Sequence, residues 1–405
     1  MSFKIKISKK SINIFVMALM IFSAAALWTS STIALYILIT GLCAFYIVAR
    51  GINTENFRAV ISSRFFLVFT LILLLFGADA VLRTRAGEYN HDFQLFTWIS
   101  VFIAMMLMVN CKTKEELIEQ ICSACLIAAV AICTYMVLSE KNLGAFDRLG
   151  NNLSGNVITV GMYLGTCALA ILYKYLLWHK KTDLLVYVIV NIFMLLTGSK
   201  LVFFNMVCAM LMFIKIGKPS KAIRRIVLIL IMVIALVILI FTNEYLYNII
   251  GARTIDFLYE MGWINSETAH RSNSTIIRLA LIQTSVDIFK ESPIIGSGFG
   301  VVASKPPYYS YAHNNFLEVL ACYGLCGFIL FYSMHVSVLR KIKRVITDKN
   351  LRSFLGVSIL NILFYDITQI TYSAGWLNYF GIIIGAAFII VEHKSRERFT
   401  YELDS

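Results

Sequence analysis

The sequence predicts an all-α, polytopic integral membrane protein of about twelve transmembrane helices with one large external loop containing an amphipathic helix. Of the 405 residues, 59% are hydrophobic and 15% are charged, and the mean hydropathy is +0.77. These values lie outside the usage of soluble domains. Apolar segments long enough to cross a bilayer also recur along the whole chain, and a helix satisfies its own backbone polar groups in hydrocarbon.

The predicted spans follow from these apolar segments. The longest segment, 183–215, would form a single helix of about 50 Å, too long for a hydrocarbon core of about 30 Å. We therefore divide it at Thr197-Gly198-Ser199-Lys200 into two short spans joined by a tight turn. The predicted spans are 12–29, 31–49, 65–82, 93–110, 117–138, 157–178, 183–197, 200–215, 226–242, 315–335, 353–371 and 376–391.

The net charge of +13 is placed where membrane topology explains it. Lysine and arginine cluster in FKIKISKK, KIGKPSKAIRR and RKIKRVITDKNLR, which flank spans on one side of the membrane. An excess of basic residues marks the cytoplasmic side. We therefore predict a multi-pass protein of the cell inner (plasma) membrane with both termini in the cytoplasm. Membrane orientation then accounts for the positive charge, so the expected partner is the lipid bilayer and no nucleic acid is expected.

This topology makes residues 1–405 a single membrane domain with one long insertion, the external loop 243–312 between spans nine and ten. Within the loop, STIIRLALIQTSVDIFKES (274–292) has apolar residues at helical spacing and ends at Pro293. IIGSGFG and the aromatic PPYYSY follow. A helix of this kind typically lies along the membrane surface or caps a cavity between spans. The glycines are compatible with a tight turn or with a backbone anion nest.

A polar cluster, His313, Asn314, Asn315 and Glu318, lies where the tenth predicted span begins. One interpretation is structural, with Asn314 or Asn315 capping the helix and His313 at the interface. The other is functional, because a carboxylate at membrane depth is costly unless it is paired or hydrated. Four polar groups within six residues favour the functional interpretation.

Three cationic residues are predicted to face the same external side. They are Arg148 in FDRLGNNLSGN, Lys200 in the inter-span turn, and Arg278 on the amphipathic helix. Together they would form a cationic pocket suited to a phosphate or pyrophosphate. Tyr311 and its neighbouring tyrosines could stack on sugar rings. The nine cysteines lie in or at the ends of predicted spans and are interpreted as packing residues, so no metal site is expected.

Taken in order, these segments resemble the superfamily of O-antigen ligases and O-antigen polymerases. The resemblance rests on RLGNNLSGN before a span, LLTGSK between two spans, and RLALIQTSVDIFKESPIIGSGFG leading to AHNNFLEVLACYGLCGF. Residue-level agreement covers mainly 148–156, 196–202 and 275–330. One departure is Lys200, where many members carry arginine, so the bidentate fork toward a phosphate is lost.

The resemblance implies a metal-independent, cofactor-free glycosyltransferase on the periplasmic or extracellular face. Its donor and acceptor would be oligosaccharides linked to undecaprenyl pyrophosphate, with a chain-length regulator and a flippase as further partners. His313 would be the general base. Arg148 and Arg278 would stabilise the leaving pyrophosphate. Substrate would be bound by Lys200, Asn314, Asn315, Glu318 and Tyr311.

Three functions remain open at this point. We favour a polymerase that joins repeat units into O-antigen, capsular or exopolysaccharide. The alternative within the superfamily is an O-antigen ligase that transfers glycan to lipid A core. A flippase or transporter of lipid-linked sugars would also have many spans, but it should carry several polar groups deep in mid-span and no elaborate external loop.

Overall fold

The computed structural model describes residues 8–27, 33–82, 92–139, 149, 157–199, 201–216, 222–252, 255, 259, 273–373 and 375–404. Within these ranges the chain is helical and contains no strand. A π-helical turn, Tyr247–Gly251, follows α11, and a 3-10 turn, Trp376–Tyr379, precedes α15. The helices are α1 Lys9–Ala26, α2 Ile33–Ala49, α3 Thr54–Ile61, α4 Arg64–Leu82, α5 Asp92–Val109, α6 Lys114–Ser139, α7 Val157–Trp178, α8 Lys181–Leu196, α9 Leu201–Lys215, α10 Ala222–Thr242, α11 Glu244–Leu246, α12 Asn273–Glu291, α13 Asn315–Val345, α14 Lys349–Asp366 and α15 Phe380–Asp404.

Several of these helices are suited to a membrane. Among the described residues, five are long and apolar enough to cross one, namely α1, α6, α7, α13 and α15 with its preceding turn. The count becomes six if α3 and α4, which meet at a bend of 59°, form one broken span. An all-α membrane protein is therefore confirmed. The described helices do not support the count of about twelve spans, because helices such as α2 and α9, with 17 and 15 residues, are shorter than the roughly 20 residues that typically cross a bilayer.

The division of the apolar segment 183–215 is confirmed. Helix α8 ends at Leu196, and Thr197 and Gly198 turn the chain before α9 begins at Leu201. Gly198 has a φ of 61°, a left-handed conformation that glycine adopts without a steric penalty. The turn thus follows from the Thr-Gly-Ser sequence.

The protein core is formed by α6, which packs against α1 and α7, and by α15, which packs against α5, α13 and α14. The apolar windows of α7 and α15 are 78% and 94% buried, respectively, so these helices are surrounded by protein. Helix α4, in contrast, turns Leu67, Leu71, Leu74 and Leu75 outward. An exposed leucine face on a helix of this length is the surface that a bilayer would cover.

Helix α13 is broken at Gly324, whose φ of 61° and ψ of −163° are not helical. The turn formed by Pro293-Ile-Ile-Gly-Ser-Gly298 packs into the break, and the two backbones exchange hydrogen bonds that the broken helix would otherwise leave unmade. The glycine pattern is therefore a docked tight turn. The bonds run from Ser297 N to Ala321 O (3.0 Å), Gly298 N to Cys322 O (2.8 Å), Leu325 N to Pro293 O (2.9 Å) and Cys326 N to Ile294 O (3.0 Å).

Candidate functional site

His313 lies in the last residues of the segment that joins the docked turn to α13. Its backbone is left-handed, with a φ of 51°, an uncommon conformation for a residue other than glycine. Its ring lies against that of Tyr311, with 4.2 Å between the ring centroids. The Nδ1 atom is buried and has no hydrogen-bond partner among the described residues. A buried ring nitrogen without a partner, on a strained backbone, is typical of a functional position.

Arg278 contributes a positive charge to this position from α12. Leu281, Ser285 and Ile288 are buried on one face of this helix, and Arg278 lies on the same face at helical spacing, whereas Ile276 and Leu279 are exposed. Burial and then the nearby Arg278 guanidinium lower the pKa of His313 to about 4. The imidazole is therefore neutral at neutral pH, and an anion bound at Arg278 would offset the positive charge that weakens it as a base.

Tyr311 is the third member of this group. Burial raises the pKa of its phenol, while the positive charge of Arg278 opposes that rise. The phenol stays protonated at neutral pH and can donate a hydrogen bond. Arg278, Tyr311 and His313 thus combine a cation, a hydroxyl donor and a neutral base within one small region.

The two asparagines have separate positions. Asn314 caps α13, because its side chain accepts a hydrogen bond from the Leu317 backbone at 3.0 Å, as one sequence interpretation proposed. Asn315 is fully buried, and its Oδ1 accepts from the backbone N–H groups of Thr371 and Tyr372 at 2.8 and 3.0 Å. Asn315 therefore fastens the segment after α14 to the start of α13.

Glu318 is 1% exposed and does not hydrogen-bond His313. Its Oε2 accepts from the backbone N–H of Ala312 at 2.7 Å, directly before the histidine. The sulfur of Cys322 lies 3.7 Å from its other oxygen. The carboxyl group of Glu318 therefore holds the backbone that carries the imidazole and not the imidazole itself.

Asp366 extends this polar network from the end of α14. Its Oδ2 accepts from the Tyr332 hydroxyl at 3.0 Å, and its Oδ1 accepts from the Thr371 hydroxyl. The Tyr332 oxygen in turn accepts from the Asn315 amide at 3.0 Å. Sequence reasoning missed Tyr332 and Thr371 as members of this network. The polar run DITQIT, rare inside a span, was the available signal.

A second anchor that sequence reasoning missed involves Asp79, near the end of α4. Its Oδ2 accepts from the Phe299 backbone N–H at 2.7 Å, so α4 also holds the glycine-rich turn. The i, i+4 spacing of Asp79 and Arg83 by itself predicts a structural pair, but Arg83 lies outside the described residues. The long separation in sequence concealed this contact.

Arg148 and Lys200 also lie outside the described residues, so their predicted roles stay predictions. Their described neighbours are close to each other, since the Leu149 backbone N–H donates to the Leu196 carbonyl at 3.0 Å. The side chain of Ser199 approaches Gly161 of α7 at the same level. Leu149 of the first motif and Leu196 of the second thus meet at one end of α8.

Comparison with known proteins identifies one family. Residues 184–332 match the model of the family described as O-antigen ligase, and no curated protein matches the chain. The matched segment contains Arg278, Tyr311, His313 and Glu318, whereas Arg148 lies before it. The match supports the O-antigen ligase and polymerase superfamily that the sequence suggested. It indicates a membrane enzyme that acts on lipid-linked glycans.

Proposed function

We propose that this protein is a membrane-embedded glycosyltransferase that polymerises lipid-linked oligosaccharide repeat units into O-antigen, capsular or exopolysaccharide. Donor and acceptor would both be carried on undecaprenyl pyrophosphate. The reaction would take place on the periplasmic or extracellular face without a metal ion. The family match at 184–332 supports the enzyme class, and the group around His313 supports the residue assignment.

The observation that carries the assignment is the unpartnered, buried Nδ1 of His313 beside Arg278 and Tyr311. A buried polar atom without a partner costs about 1–3 kcal/mol in a folded protein. Folded proteins retain such a cost at positions where the group binds a ligand or takes part in catalysis. A neutral histidine next to a cation is suited to a reaction that removes a proton while negative charge develops nearby.

The proposed reaction uses these groups directly. The acceptor sugar hydroxyl attacks the anomeric carbon of the donor and gives its proton to His313. The bond between that carbon and the pyrophosphate oxygen breaks as the new glycosidic bond forms, and undecaprenyl pyrophosphate leaves with the bonding electrons. Arg278 stabilises the charge on the leaving group, and Arg148 and Lys200 are proposed to share this role.

The buried polar residues have a positioning role in this proposal. Glu318 holds the Ala312 backbone, and Asn315 links α13 to the segment after α14. Through Tyr332, Asn315 is also connected to Asp366. Because these bonds fix both sides of the site, they keep His313 within the sub-ångström tolerance that catalysis demands.

The second candidate function is an O-antigen ligase that transfers glycan to lipid A core. The description of the matched family favours it. Both reactions use the same base and the same leaving group, and they differ only in the acceptor. Purified protein should extend lipid-linked repeat units into ladders if it is a polymerase. Transfer to lipid A core alone would establish the ligase, and movement of lipid-linked units without bond formation would establish a flippase.

The finer membrane topology is also proposed. About twelve spans, with both termini in the cytoplasm, would place residues 243–312 outside the cell and His313 at the external membrane surface. Labelling of single cysteines by an impermeant reagent in intact cells tests this arrangement. A cysteine at exposed position Tyr309 should react, whereas one at exposed position Lys349 should not.

The residue assignment is tested by His313→Ala in reconstituted protein supplied with lipid-linked repeat units. We expect a folded, inserted protein whose rate of glycosidic bond formation falls at least about 100-fold, the lower range for a general base. His393→Ala is the matched control, because His393 is exposed on α15, far along the sequence from the site. Full polymer length in the His313 variant would remove His313 from the mechanism.

A further inference from the structure

A cavity of about 260 Å³ lies between α9 and α14, away from the polar network around Asp366. Its lining combines two cations, Lys215 and Arg352, with apolar side chains of both helices. Among the described lining residues there is no carboxylate. The volume is about nine times the ~30 Å³ that a water molecule occupies in the liquid, enough for a small phosphate-containing group.

The cavity lies at the end of the helix pair opposite the candidate active site. The rings of Phe204, near the start of α9, and Phe364, near the end of α14, are stacked with centroids 5.1 Å apart. The two helices are therefore antiparallel neighbours. Asp366 is fourteen residues along α14 from Arg352, a distance of about 21 Å at 1.5 Å per residue.

The cations are available to a ligand. Lys215 is exposed at the last turn of α9, and among the described residues it forms no ion pair. Arg352 makes a long contact of 3.5 Å from Nη1 to the Lys343 carbonyl, which leaves most of its five donors uncommitted. Two cations without an acidic partner attract an anion, and both helix ends belong to basic segments of the sequence.

The apolar lining distinguishes a lipid from a free anion. Leu211 on α9 and Val357 and Leu360 on α14 line the same cavity as the cations. Gly356 also lines it, and a side chain added there would meet nothing within 4 Å. A groove with cations at the helix ends and aliphatic side chains toward the helix middle matches a phospholipid, with its headgroup at the membrane surface.

We propose that this cavity binds an anionic phospholipid of the leaflet opposite the active site, with its phosphate on Lys215 and Arg352 and an acyl chain along Leu211, Val357 and Leu360. The interaction is separate from glycosyl transfer and would hold α9 and α14 together where the lipid lies between them. A zwitterionic lipid brings its own cation to the two basic side chains and binds more weakly. Each cation contributes roughly a fivefold gain in affinity.

The test is native mass spectrometry of the full-length, detergent-purified protein with phosphatidylglycerol or phosphatidylcholine of identical acyl chains. We expect the wild type to retain phosphatidylglycerol preferentially. Lys215→Ala/Arg352→Ala should weaken that binding roughly 25-fold, to the level of phosphatidylcholine. Gly356→Leu should also weaken it by filling the groove, and it should fold, because leucine is a better helix former than glycine.

The control variant is Lys180→Ala/Lys181→Ala, which removes two exposed lysines from the start of α8 and should bind phosphatidylglycerol as the wild type does. Equal binding of both lipids by the wild type, or unchanged phosphatidylglycerol binding in both cavity variants, would overturn the proposal. Inorganic phosphate is a competing probe. If it displaces phosphatidylglycerol at equal concentration, the site recognises a free phosphate and the lipid assignment fails.

Discussion

The break in α13 depends on Gly324, and Gly324→Ala should undo the docking of the glycine-rich turn. A Cβ at this position would lie 2.4 Å from both the carbonyl carbon and the carbonyl oxygen of Ile294. Ordinary van der Waals contact begins at 3.4 Å, so the Ile294 carbonyl must retreat by about 1 Å. The bonds from Leu325 to Pro293 and from Cys326 to Ile294, now 2.9 and 3.0 Å, would then exceed hydrogen-bonding distance.

The magnitude follows from these contacts. Two backbone carbonyls that lose their partners cost about 1–3 kcal/mol each when they stay buried. Holding alanine at a φ of 61° and a ψ of −163°, a conformation essentially restricted to glycine, adds about 1–3 kcal/mol. Partial relaxation of the turn reduces the sum, so we expect a loss of roughly 2–5 kcal/mol, a large fraction of typical folding stability.

Two quantities are measured on detergent-purified protein. The first is the midpoint of thermal unfolding, monitored by size-exclusion chromatography, and the second is the rate of polymerisation. Gly324→Ala should lower the midpoint by several degrees. It should also lower the rate, because the same turn leads to His313. Gly41→Ala on α2 is the matched control, since a Cβ there meets nothing within 4 Å. If the two variants unfold at the same temperature and have equal rates, the docked turn does not hold the site.

Three further outcomes are expected. Arg278→Lys should lower the rate of glycosyl transfer about tenfold or more, because a single ammonium replaces a planar fork, while Arg340→Lys at an exposed position of α13 leaves the rate unchanged. Asp366→Asn should lower the free energy of unfolding by about 1–2 kcal/mol, because one of the two hydroxyl groups that donate to Asp366 then faces an amide donor. If Asp366 acts by positioning the site, kcat should fall while KM stays unchanged. The pKa of His313 is lowered to about 4 in the folded protein, so its imidazole takes up a proton more readily in the unfolded chain. The free energy of unfolding should therefore fall by about 1–2 kcal/mol as the pH drops from 6.5 to 4. Unfolding midpoints measured over a pH series should lack this dependence in His313→Gln.

The sequence by itself determined the features that depend on local chemistry. Apolar segments of bilayer length predicted the helices, and Thr197-Gly198-Ser199 predicted the turn between α8 and α9, because glycine there relieves a left-handed backbone. A cap at Asn314 or Asn315 was predicted, and Asn314 forms it; the apolar spacing of 274–292 predicted a helix, which α12 forms. These follow from hydrogen bonds and side-chain spacing within a few residues.

The tertiary structure decided which distant residues meet. No local pattern indicates that Glu318 holds the Ala312 backbone rather than the imidazole, that Asp79 fastens Phe299, or that Tyr332 joins Asn315 to Asp366. Helix lengths also come from the fold: five of the described helices, or six with the bent pair α3 and α4, are long and apolar enough to cross a membrane, and this number does not by itself support the twelve predicted spans. Residues that are distant in sequence can form a hydrogen bond only when helix packing brings their polar atoms together, so these contacts are a property of the tertiary structure.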